Sequence, residues 1–207
     1  MDIWYAAYGS NMWAARLACY LAGGCPPGAT RSYPGARDRT PPSGDRPVEL
    51  HGCVYFAWHS PTWDGGIAFF DPAGPGASVG RAYRLTEAQL SDLVEQEMHR
   101  TPGVDHDLTH LLAHGSTDVG DGRYESLHVV GELDGEPVVT FTSPEGVHAA
   151  DHNEPSAAYL ATMARGLVES HGWGPDRVAT YLLDRPGIGS WDAAGIRALL
   201  GPEADAP

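Results

Sequence analysis

Hydrophobic positions along this chain switch period more than once, and the switches divide it into elements. The run Ile3-Trp4-Tyr5-Ala6-Ala7-Tyr8 is continuously apolar and reads as a buried strand. Gly9-Ser10-Asn11 breaks it, and Met12 to Leu21 reads as a helical turn or short helix. A strand, a small-residue turn and a helix start expose backbone N–H groups beside positive partial charge, which suits an anion. The same pattern equally describes an ordinary strand-to-helix connection. Ala22 to Arg46 is dense in Gly and Pro and reads as a long surface loop, a candidate pocket rim. Cys53 to Trp58 and Ile67 to Phe70 flank the turn Thr62 to Gly66 as a hairpin or neighbouring strands, and Val79 to Leu85 alternates as another strand. Arg123 to Glu132 and Glu136 to Thr142 form a hairpin about Leu133-Asp134-Gly135, where Asp-Gly is a strong turn signal.

Helical spacing appears first after Thr86. Thr86-x-x-Gln89 is a capping box, which satisfies N–H groups that the first helical turn leaves without partners. At about 100° per residue, Leu90, Leu93 and Val94 form one apolar stripe with Glu97 in its middle, while Glu95 points nearly opposite, to solvent. Burying an ionised carboxylate without a partner costs several kcal/mol. Glu97 therefore has a task, or an arginine neutralises it, or the helix ends before it. From Asn153 the chain turns helical: Pro155 suits a first turn, Leu160, Met163 and Leu167 supply the apolar face, and Gly172 stops it. A second helix starts at Gly174-Pro175-Asp176 and a third covers Ser190 to Leu200. Strands with one embedded helix followed by a helical C-terminal part predict an α+β fold. Residues 1–200 read as one domain, and 201–207 as a frayed acidic tail.

Composition narrows the function. The 207 residues are 42% hydrophobic and 19% charged, as in a folded globular chain. The net charge is −14 and all 13 basic residues are arginine, so neither nucleic acid nor an anionic membrane is an expected partner. The absence of lysine removes Schiff-base chemistry and a P-loop. Cys19, Cys25 and Cys53 are odd in number and without metal-binding spacing, which suggests a reducing compartment. With no signal-like opening and no membrane-length apolar run, a cytoplasmic location is expected.

The segment from His99 to Gly122 is rich in histidine. His106, His110 and His114 fall at i, i+4 and i+8, which on one helix would stripe a single face. Such imidazoles could bind zinc or nickel and support a metal-assisted amide hydrolase, or form a solvated stripe with no ligand.

Four stretches, in order, carry a family resemblance. Tyr5-Ala6-Ala7-Tyr8-Gly9-Ser10-Asn11-Met12 resembles the Tyr-Gly-Ser-Asn signature of the γ-glutamylcyclotransferase-like superfamily, with Arg16 where that family often has an arginine. Thr62 to Ala68 is similar to its Trp-x-Gly-Gly-Ile-Ala stretch, Glu95-Gln96-Glu97 to the sequence around its catalytic glutamate, and Pro155 to Tyr159 to its late Pro-Ser-x-x-Tyr. The resemblance implies a small closed β-barrel with packed helices. It also implies intramolecular aminolysis of a γ-glutamyl amide, releasing 5-oxoproline and a free amine or amino acid. Glu97 would be the general acid/base, and Tyr8, Gly9, Ser10, Asn11, Tyr124 and Tyr159 would hold this small-molecule substrate, with no metal or cofactor. Phe141 stands where a further pocket tyrosine can occur, and Met98 where glycine is usual. A third reading, a non-catalytic small-molecule-binding protein, uses the same fold.

Overall fold

The computed structural model describes residues 2–26 and 31–201, so the proposed acidic tail lies outside the described residues apart from Gly201. In chain order the regular elements are β1 (Asp2–Ala7), α1 (Ala14–Ala22), β2 (Asp45–His51), β3 (Cys53–Ser60), β4 (Gly65–Asp71), β5 (Ala77–Thr86), α2 (Glu87–Glu97) and α3 (Thr109–His114). There follow β6 (Ser116–Asp118), β7 (Ser126–Leu133), β8 (Glu136–Thr142), α4 (Ala157–His171), α5 (Pro175–Leu183) and α6 (Ala193–Ala198). The α+β expectation holds in this mixed arrangement. Ser10–Met12 is a single 3-10 turn, and α1 starts only at Ala14. Pro155 precedes α4 instead of joining its first turn, because Ser156 is the N-cap and accepts from the Tyr159 N–H.

The expected closed barrel is not formed. Among the described residues, six strands make an open mixed sheet in the order β2-β5-β1-β8-β7-β6; β3 and β4 form a separate pair, with single bridges from Ala57 to His152 and from Gly66 to Pro155. β1 lies near the centre, antiparallel to β5 and parallel to β8. Closure would require a ladder along the free edge of β4, but hydroxyl groups occupy that edge. The Phe70 N–H donates to Thr142 Oγ1 (2.9 Å), the Ala68 N–H donates to the Tyr159 hydroxyl (2.9 Å), and the Tyr124 hydroxyl donates to the Ala68 carbonyl (2.9 Å). Buried backbone groups must be paired, and here side chains from β8, α4 and the strand β7 approach do the pairing.

Two glycine-dependent features fix the frame. In the β7–β8 turn, Asp134 and Gly135 both have positive φ (54° and 79°), the conformation a two-residue hairpin with the right twist requires. At Gly66 the constraint is close approach: a Cβ there would lie 2.0 Å from the Asn153 carbonyl oxygen, while the Gly66 N–H donates to Glu154 O (2.8 Å). That contact seats the N-terminus of α4 against β4. Gly66→Ala is expected to destabilise the protein by about 2–3 kcal/mol, the order of a forced overpacking. The midpoint of urea denaturation would show it, and an unchanged midpoint would mean that the Asn153 segment simply moves away.

The surroundings of α2 differ from the expected one-sided packing. Leu90, Leu93 and Val94 are fully buried, but so are Gln89, Ser91, Asp92, Glu95 and Gln96. Two loops cover the polar side and satisfy it. From residues 31–44, the Arg37 backbone N–H and Nε donate to Asp92 (2.8 and 2.9 Å), and the Gly35 N–H donates to Gln96 Oε1 (3.3 Å). From residues 99–125, Arg100 binds Glu95 through Nε and Nη2 (2.7 and 2.9 Å). Glu95 was expected in solvent and is buried, because the loop after α2 folds back over the polar face of the helix and brings Arg100 onto it. The Arg100 guanidinium holds the Glu95 carboxyl below its usual range.

All three cysteines are free thiols. Among the described residues, no helix is long and apolar enough to cross a membrane.

Candidate active site

The turn after β1 and the last residue of α2 meet in one cavity. Its lining includes Tyr8, Gly9, Ser10, Asn11, Glu97, Tyr124 and Tyr159, all seven residues singled out in the sequence, together with Arg16. The space is narrow, about 50 Å³. Glu97 is half-buried at the C-terminal end of α2, one turn beyond Leu93 and Val94, so the same periodicity that buries those residues aims it inward. It does not face the turn across open space: Asn11 Nδ2 donates directly to Glu97 Oε1 (2.8 Å). Asn11 Nδ2 also lies 3.3 Å from the Tyr5 hydroxyl.

Arg16 is buried, with 3% of its surface exposed, and its guanidinium is only partly satisfied. Nε donates to Ser10 Oγ (2.9 Å), and Nη2 donates to the hydroxyls of Tyr20 (3.1 Å) and Tyr33 (3.3 Å). Nη1 is buried and has no hydrogen-bond partner among the described residues. Burial alone would pull the arginine pKa down; the Tyr20 and Tyr33 oxygens and the Glu97 charge outweigh it and keep the group cationic. The Trp63 ring, 5.0 Å from Cζ, adds an aromatic face. Asn11 Oδ1 and Arg123 Nε, on walls of the same cavity, are likewise buried without a hydrogen-bond partner among the described residues. Unpaired buried polar groups are expensive, about 1–3 kcal/mol each, so a cavity lined by two such donors and one such acceptor is built for a polar occupant.

The tyrosines divide by what their protons do. Tyr8 donates to the Phe141 carbonyl (2.9 Å) and Tyr124 to the Ala68 carbonyl, so both protons are committed to the frame. Tyr159 instead accepts, from the Ala68 N–H. Burial pushes the Tyr159 hydroxyl up to about 12, although the Ala68 N–H and the Arg16 charge oppose this, so it is a neutral phenol near neutral pH. Gly9 permits this crowding, since a Cβ there would sit 3.2 Å from the Tyr159 oxygen. Phe141 stacks on Tyr5 with ring centroids 5.0 Å apart.

Sequence reasoning missed several wall residues. Tyr5 carried a strand signal only. Tyr33 and Arg123 come from loops, where no periodicity points a side chain anywhere, and Tyr20 and His99 likewise line the cavity. Arg123 Nη2 donates to the Glu97 carbonyl (3.1 Å), capping the end of α2.

The histidine triad is not assembled. α3 starts at Thr109, so His106 lies outside the helix that was to align it, and its Nε2 lies 3.2 Å from Glu95 Oε1. His110 and His114 stack with centroids 4.1 Å apart on an exposed face. Among the described residues, no three His, Cys, Asp or Glu side chains converge as a metal site.

Comparison with known proteins bears on this geometry. No family model matches the chain. A solved structure described as a γ-glutamyl cyclotransferase superposes with a TM-score of 0.51, covering 93% of each chain at 17% identity. This chain has the γ-glutamyl cyclotransferase-like fold. At that identity the likeness establishes the fold alone. An uncharacterized human protein superposes over 82% of this chain and 80% of its own, at 17% identity and a TM-score of 0.48, too low to add to the argument. A curated sequence, histone deacetylase 5 of Arabidopsis thaliana, is 28% identical over 200 positions. That match covers 88% of this chain but 30% of the plant protein, so the chain spans under a third of that relative's length and its name brings no activity with it.

Proposed function

We propose that this protein is a γ-glutamyl cyclotransferase, cleaving a γ-glutamyl amide to 5-oxoproline and a free amine. One observation carries the reading: a carboxylate, an unpartnered guanidinium nitrogen and an unpartnered amide oxygen share one narrow cavity. A γ-glutamyl head group presents a carboxylate and an ammonium on one carbon, which is the complementary set. Arg16 Nη1 would take the α-carboxylate in a charge-assisted hydrogen bond. Asn11 Oδ1 would accept from the α-ammonium and hold it beside Glu97.

Ring closure then needs little from the protein beyond positioning, because nucleophile and electrophile belong to one molecule. Glu97 takes a proton from the ammonium, and the freed amine attacks the γ-carbonyl carbon. The Tyr159 hydroxyl, which accepts from the Ala68 N–H, would donate its own proton in a hydrogen bond to the oxygen that gains charge. Glu97 returns that proton to the departing nitrogen and the C–N bond to the leaving amine breaks, while the ring nitrogen gives up its second proton, by way of Glu97, to the released amine, leaving a neutral lactam and an ammonium product. Atoms and electrons balance with no water and no oxidant consumed.

Incubating the protein with a range of γ-glutamyl amides should release 5-oxoproline. Arg16→Lys keeps the charge but loses the fork that reaches both the tyrosines and the cavity. It is expected to raise KM about tenfold, as loss of one charge-assisted hydrogen bond of roughly 1.5 kcal/mol does, with a smaller change in kcat. Release of free glutamate, or binding without turnover of any amide, would overturn the reading.

A further inference from the structure

A second cavity of about 510 Å³ adjoins the first, and the two share one wall residue, Arg123. We propose that this wider space seats the leaving amine and selects amines that carry a second positive charge. The inference rests on the cyclotransferase reading of Glu97 and specifies its substrate.

Arg123 sets the position of the second space relative to the reacting group. Its Nη2 is tied to the Glu97 carbonyl (3.1 Å), and its guanidinium carbon sits 4.5 Å from the centroid of the Trp58 ring. A substrate whose γ-glutamyl head fills the narrow cavity and whose amide substituent leaves past Arg123 would place that substituent in the wide cavity. The head is the constant part of the substrate and the amine the variable part, which matches one tight and one roomy compartment.

The walls state what the roomy compartment prefers. Trp58 is exposed (41%) although large and apolar, and it holds a positive φ of 58° at a bulge in β3. A bulge re-aims a side chain, and left-handed backbone at a non-glycine residue is costly unless its surroundings enforce it. Here the Trp58 N–H donates to Asp151 O (3.2 Å) and the Trp58 carbonyl accepts from Asn153 Nδ2 (2.9 Å), both from the same cavity wall. The indole already holds one cation, the Arg123 guanidinium, at the partition between the two cavities. Asp121, Glu145 and Asp151 also line the space, and among the described residues none of these three carboxylates forms an ion pair. Three unpaired carboxylates stand against one guanidinium that is already stacked on Trp58. Of the two histidines present, His59 faces Asp64 (3.5 Å) and His152 faces the Val147 carbonyl (2.9 Å). Three exposed carboxylates (−3) and one guanidinium (+1) leave these walls with a formal charge of −2, which favours an ammonium over the carboxylate of an ordinary amino acid.

The test compares three γ-glutamyl amides of matched length, made from 1,4-diaminobutane, butylamine and 4-aminobutyrate. 5-oxoproline release by the full chain is measured at low and at raised salt. The diamine conjugate is expected to have the highest kcat/KM and the aminobutyrate conjugate the lowest, at least tenfold apart, with the gap closing as salt screens the walls. In the double variant Asp121→Asn, Asp151→Asn the gap should shrink at least threefold. Equal turnover of all three, or preference for the anionic amine, overturns the subsite while leaving the reaction standing. If none is turned over, calorimetry with the free amines decides the subsite separately. Binding of 1,4-diaminobutane but not of 4-aminobutyrate supports it and points to failure of the reaction reading alone; no binding of the diamine overturns both.

Discussion

Glu97→Gln should reduce 5-oxoproline release by about 10²- to 10⁴-fold, the span general acid–base catalysis ordinarily contributes, and leave the fold and KM nearly unchanged. The substitution is close to isosteric and respects the geometry found. Glu97 Oε1 accepts from Asn11 Nδ2, and a glutamine carbonyl oxygen in the same place still accepts. What disappears is proton transfer. The substrate ammonium keeps its proton, so its lone pair is not available for attack on the γ-carbonyl, and the leaving nitrogen departs without protonation. The measurement is single-turnover 5-oxoproline formation with the variant saturated in substrate, alongside circular dichroism to show that it is folded. A variant retaining a tenth or more of the activity would sink the role assigned to Glu97, and Tyr159 would be the next group to examine.

Legibility from sequence followed the range of the interactions involved. The Asp134-Gly135 hairpin and the capping box of Thr86 with Gln89 were readable because each is decided by residues within four positions of one another. The inward aim of Glu97 was readable because it rides on the 3.6-residue period of Leu90, Leu93 and Val94. The same periodicity misassigned Glu95. A helical wheel identifies the apolar face but is blind to what covers the polar one, and here loops 31–44 and 99–125 cover it with arginines. Barrel closure failed for a related reason: whether β4 meets a strand or a row of hydroxyls depends on Tyr124, Thr142 and Tyr159 arriving from far along the chain. The free Nη1 of Arg16 and the wall made by Arg123 lay beyond any local pattern, since both follow from which partners are missing after the rest of the chain has packed.

The other large effect expected is on stability, at Arg100. Its guanidinium bridges two buried carboxylates: Glu95, with 5% of its side chain exposed, and Glu125, with 4%. Nε and Nη2 bind Glu95 at 2.7 and 2.9 Å, and Nη2 also binds Glu125. Removing one partner of a buried ion pair costs more than the pair contributes, because the remaining charge stays desolvated; about 3–5 kcal/mol is usual. Arg100 is itself 42% exposed, so water screens part of its charge, and Arg100→Ala is expected to cost less, about 2–3 kcal/mol at neutral pH. The pH dependence has a definite sign. Arg100 lowers the Glu95 pKa in the folded state, so the associated stability is present above the unfolded carboxylate pKa and is lost as pH falls through the lower folded value. The gap between wild type and Arg100→Ala in urea-denaturation free energy should therefore be widest near neutrality and narrow below about pH 4, where the unfolded carboxylate titrates. Glu95→Gln combined with Arg100→Ala should recover part of the loss, since the buried group left behind is then uncharged. A gap that stays constant from neutral to acid pH would show that Arg100 acts through packing of its stem, and not through the carboxylates it bridges.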